Sequence, residues 1–157
     1  ERIVAQFKVS AFGSDYGDGP DLIRKWATRP TIHLITDRDD IASQSLLDID
    51  QAVDLIRELT GTQIVFTADT KAANFALIFI DRRRYGEMLS NFPIKEIDKH
   101  RRQANDSECY TVVLRATDGT INSAVSLIGT DLVAFTRKQC VYEELIQAAG
   151  LLADNCA

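Results

Sequence analysis

CVYEELIQAAGLLADNCA, residues 140–157, is the stretch on which the reading of this chain turns. Val141, Leu145, Ala148 and Leu152 recur at spacings of three and four, so they make one apolar stripe of a helix that the pattern predicts over 137–152. Glu143, Gln147 and Gly150 share a second face one turn apart. Glu144 is flanked on the helix surface by Val141, Leu145, Ala148 and Leu151. A carboxylate beside an apolar stripe is costly to bury without a partner, so it either sits at the rim or serves something specific.

Upstream of this helix the chain alternates between strand and helix signals. TIHLI after Pro30 and QIVFT at 63–67 read as strands, and FALIFI at 75–80 is apolar almost throughout, as in a strand covered on both faces. Leu46, Leu47, Ile49, Val53, Ile56 and Leu59 place an amphipathic helix over 43–59, closed at Thr60-Gly61. A short helix is expected at 85–91, and the polar stretch 94–107, with His100, Arg101 and Arg102, as a surface loop. Strands at 110–115 and 121–128 flank Thr117-Asp118-Gly119-Thr120, a hairpin signal. Residues 1–30 read as an N-terminal arm with a turn around Asp15, Asp18 and Asp21, and residues 31–157 as the body of one domain. The expected class is α+β: one mixed, mostly antiparallel sheet with helices packed on one side.

Composition sets the outer limits. At 157 residues, 45% hydrophobic and 26% charged, the chain is long and apolar enough to bury one core. A net charge of −5 repels phosphate backbones and anionic lipid, which argues against nucleic acid and membrane surfaces as partners. The Arg82, Arg83, Arg84 run is expected to end a strand in solvent. No apolar stretch reaches the length of a membrane span. Glu1 stands where a methionine would begin a chain, as in a processed or excised form.

The chemistry rests on the frame from Glu143 to Gly150. Zinc peptidases of the zincin type carry two histidines four residues apart on a helix, with a glutamate after the first as general base. Here those positions are Glu143, Glu144 and Gln147, with Gly150 in the place of the glycine of the extended pattern. Ala153 falls where a third ligand would stand, followed by the acidic Asp154. Only His33 and His100 remain elsewhere, so no metal ligands are assigned and no cofactor is expected; glutamate and a neutral amide hold zinc weakly.

Trp26, RELTG at 57–61, ANFALIFI at 73–80, Cys109, INSAVSLI at 121–128 and CVYEELIQAAGLLAD at 140–154 together resemble the bacterial family called domain of unknown function 2927. The resemblance covers most of the chain. It implies a zincin-like fold with a degenerate zinc helix and an exported protein of the periplasm or cell envelope, secreted or lipid-anchored. It also implies a chain that continues past Ala157. In an oxidising compartment Cys109 and Cys140 become a candidate bridge, with Cys156 the odd thiol.

The expected function is accordingly a non-catalytic binding module, with Glu143, Gln147 and Asp154 as candidate binding residues. Its expected partner is an extended peptide or envelope protein, added along a sheet edge assigned to 75–80. The alternative is a hydrolase, metal-dependent or metal-free, in which Glu143 and Glu144 act as acid and base, Glu144 being the candidate catalytic residue. Neighbours on a helix point about 100° apart, which argues against their converging on one atom. The remaining reading is a solvated face of good helix formers.

Overall fold

A computed structural model describes residues 24–150. Asp15, Asp18, Asp21, Asp154 and Cys156 lie outside these residues. The described strands are β1 (Lys25–Trp26), β2 (Thr31–Thr36), β3 (Val65–Phe66), β4 (Phe75–Ile80), β5 (Cys109–Arg115) and β6 (Thr120–Gly129). The helices are α1 (Asp39–Thr60), α2 (Tyr85–Leu89, entered through a 3-10 turn at Arg82–Arg84), α3 (Ile97–Asn105) and α4 (Ala134–Ala148).

The strands make one sheet. β2 runs parallel to both β3 and β4, β4 parallel to β6, and β1 parallel to the first residues of β6. Among the described residues β5 alone is antiparallel, paired along β6. The expectation of a mostly antiparallel, zincin-like sheet is therefore overturned. The reason lies in the connections: β2 reaches β3 through the 22 residues of α1, and β4 reaches β6 through α2, α3 and β5. Such crossovers return the chain in the same direction, whereas the hairpin at Asp118-Gly119 reverses it once. The near-continuous apolar run of β4 was the sign of a parallel interior strand.

Helices cover both faces, correcting the one-sided expectation. Residues of β4 divide by alternation: Phe75, Leu77 and Phe79 face a core with Ile49, Val53 and Ile56 of α1 and Val141 and Leu145 of α4. Ile78 and Ile80 face a second core with Tyr85, Leu89, Ala104 and Tyr110. The polar stretch expected as a loop contains α3, which buries Ala104 among charged neighbours. Helix α1 starts at Asp39, four residues before the expected start at 43, with Asp39 and Asp40 in its first turn, and ends on Gly61 at φ 72°, whose N–H donates to Arg57 O at 2.9 Å. Trp26 Nε1 donates to Ala148 O at 2.9 Å, fastening β1 to the end of α4.

Candidate functional site

Helix α4 buries Arg137, Cys140, Val141, Glu144, Leu145 and Ala148, so its inward stripe includes a carboxylate. Glu144 is only 2% exposed, which decides between rim and interior in favour of the interior. Around it, Thr111 Oγ1 donates to the Glu144 backbone carbonyl at 3.4 Å and shares a 2.6 Å hydroxyl contact with Ser126. Cys109 on β5 is bonded to Cys140 on α4, with Cα atoms 5.8 Å apart. One oxygen each of Glu143 and Glu144 and the Cys109 sulfur lie within 4.8 Å of one another. The two adjacent carboxylates thus do converge, against the expectation from helix geometry, and they do so on the disulfide.

Three such groups near one point could hold a cation if Cys109 were a thiolate. Bonded to Cys140, its sulfur is neither a thiolate ligand nor a proton donor, which leaves two carboxylates. The charge of Glu144 is felt at a distance: burial first, then that charge, pushes the Tyr85 phenol up, and Tyr85 keeps its proton to donate to Glu108 O at 2.8 Å. Gln147 is half-buried on α4. Gly150 has φ 117°, and a Cβ there would stand 2.6 Å from the Arg24 carbonyl. The glycine that matched the peptidase pattern has a packing reason of its own.

The histidines stand elsewhere. His100 on α3 packs with Tyr110 in the layer opposite α4, its Nδ1 2.8 Å from the Tyr110 hydroxyl. His33 on β2 has Nδ1 3.0 Å from Thr67 O, and since a carbonyl only accepts, that nitrogen carries the proton. The arginine run ends β4 as expected, with Arg82 on Asp131 at 2.8 Å, Arg83 on Asp81 at 2.7 Å and Arg84 on Asp37 at 3.3 Å.

A second site, which the sequence did not announce, lies at the rim of the sheet. β4 sits between β2 and β6 and cannot receive another strand, so the edge assigned to 75–80 is wrong. β3 covers β2 only at Thr31 and Ile32, with one further bond from Thr67 N to Ile32 O. Thr31 O and Asp37 N bond toward β4 and Ile32 O toward β3, so by alternation the N–H and C=O of Leu34 face outward. The β2–β3 register stops at Ile32 and Phe66, so among the described residues no β3 residue stands opposite Leu34.

Each face of the sheet beside this edge carries a cavity. On the α1 side is a groove of about 410 Å³, lined by Leu34, Leu46, Ile49, Asp50 and Phe66 among others. Opposite, a pocket of about 210 Å³ runs from Ile35 past Asn74 and Ala76 to Phe92 and Val125. His33 lines both. Leu46 and Phe66 stand 48% and 47% exposed at the groove, too open for core residues.

Comparison with protein families matches residues 1–157 to the family described as "Protein of unknown function (DUF2927)". The chain belongs to this family. No curated protein and no solved structure matches it. Family membership therefore carries no activity to the chain, and no helix of the described residues is long and apolar enough to cross a membrane.

Proposed function

We propose that this member of the family is an exported binding module that takes an extended peptide segment of a partner protein along the open edge of β2, without catalysis. The observation that carries the reading is the outward-facing backbone of Leu34 with a cavity on each face of the sheet beside it. A strand added there would gain main-chain hydrogen bonds, and its side chains, alternating in direction, would enter the two cavities in turn. The Cys109–Cys140 bridge supports export, because such bonds persist in oxidising compartments. In this reading the Cys109–Cys140 bridge holds α4 against β5, the α4 carboxylates do not act on a substrate, and Glu143, Gln147 and Asp154 are not needed for the ligand. Zinc has no part in this reading, since the donor set beside α4 is two carboxylates and a disulfide.

One observation favours a hydrolase: paired carboxylates within 4.8 Å are an arrangement that acid–base chemistry uses. Against it stands the burial of Glu144, since a general base must reach the proton it removes. Incubation with a panel of extended eight-residue peptides separates the two. Binding without cleavage, with slowed amide exchange at Leu34 and loss of affinity on N-methylation of alternate peptide amides, is the expected result. Peptide cleavage that disappears in Glu144→Gln would falsify the binding-module reading.

A further inference from the structure

The groove on the α1 side has a charge as well as a shape. Helix α1 carries six acids, Asp39, Asp40, Asp48, Asp50, Asp54 and Glu58, against the single base Arg57. Three of the acids are engaged: Asp40 by Arg38 at 2.8 Å, Asp54 by Arg57 at 2.7 Å and Asp48 by Lys138 at 3.1 Å. Asp50 has no ion pair among the described residues and is the acid that lines the groove, one helical turn from the exposed Leu46. Among the described residues nothing basic lines the groove to answer it, and His33, with Nδ1 on Thr67 O, is its one titratable neighbour there.

We infer that the segment bound at the β2 edge carries a large apolar side chain with a lysine or arginine two residues away, so that the apolar group enters between Leu46 and Phe66 and the cation meets Asp50. The spacing follows from two periods. Side chains on one face of a strand recur about every 6.6 Å, and residues four apart on a helix lie about 6 Å apart, so an apolar–x–basic unit matches the Leu46–Asp50 step. The groove volume of about 410 Å³ admits a leucine or phenylalanine side chain with room for the stem of a lysine. The complementarity extends beyond the pair, because six acids against one base on α1 and the net charge of −5 attract a cationic segment before contact.

This inference rests on the edge-binding reading and is tested separately from it. Eight-residue peptides identical except for the unit Leu-x-Lys, Leu-x-Gln or Leu-x-Glu are titrated against the full chain and its Asp50→Asn and Asp50→Lys variants. Fluorescence anisotropy reads affinity, and amide exchange at Leu34 reports where the peptide lies. Expected is a preference for Lys over Glu of about tenfold at low ionic strength, given the modest size of rim charge pairs and the reversal of sign. It shrinks in Asp50→Asn, reverses in Asp50→Lys and weakens with added salt. Equal binding of the three peptides with Leu34 protected would overturn the charge preference and leave the edge reading standing. Absence of binding and of Leu34 protection for every peptide would overturn both. Asp50 is exposed, so matching thermal melts confirm that both variants fold.

Discussion

Single residues in this protein are held by reasons that their sequence neighbours do not show. Gly150 stands at φ 117° with the Arg24 backbone where a Cβ would be, so Gly150→Ala should cost about 1–3 kcal/mol, read as a fall in the urea midpoint at constant slope. A packing role predicts this loss whether or not any ligand is present. His100 makes a second case. Burial, and after it the charge of Lys99, lowers its pKa, opposed by a smaller pull from Glu96. The unfolded chain then binds the proton more readily than the fold does. Stability from this group is complete above the ordinary histidine value near 6.5 and is lost as pH falls from there through the depressed folded value. Urea midpoints should drop as pH falls below the ordinary histidine value, and the drop should flatten in His100→Gln. Glu144 was legible as anomalous from its place beside an apolar stripe, but its 2% exposure and its meeting with Glu143 at a disulfide were not. That one oxygen of each comes within 4.8 Å of the same sulfur on β5 is a tertiary fact that the helix period does not carry.

Among the elements, β4 and α1 could be read almost to their ends, since each carries a long, uninterrupted period. α3 could not, because a nine-residue helix that buries one alanine has almost no apolar pattern to display. β3 shrinks from the expected five residues to Val65–Phe66, and that shortness is what uncovers β2. The edge makes a prediction that distinguishes packing from binding. Leu46→Ala and Phe66→Ala, each at a residue about half exposed, should move stability by less than about 1 kcal/mol. The same variants should weaken an apolar–x–basic peptide by about fivefold or more, as expected when an anchor loses its pocket wall. Calorimetry of the free chains beside anisotropy of the complexes checks both halves.

For the whole molecule, the bridge from Cys109 to Cys140 ties the antiparallel edge strand to α4 across 31 residues of chain. By loop-closure entropy it should contribute about 3–4 kcal/mol, so the Cys109→Ala, Cys140→Ala double variant should lose that amount in urea and show no further loss with added thiol reductant. By itself the sequence determined which segments are apolar enough to be core, where the one hairpin turns, how α1 ends, and to which family the chain belongs, because each of these depends on local periods, turn chemistry or pattern. Tertiary structure decided the strand directions, the two-sided layering and the open edge of β2. Those depend on how long connections return and on which strand stops short; the apolar run of β4 is the one local mark of a covered parallel strand, and nothing at β2 or β3 marks the edge.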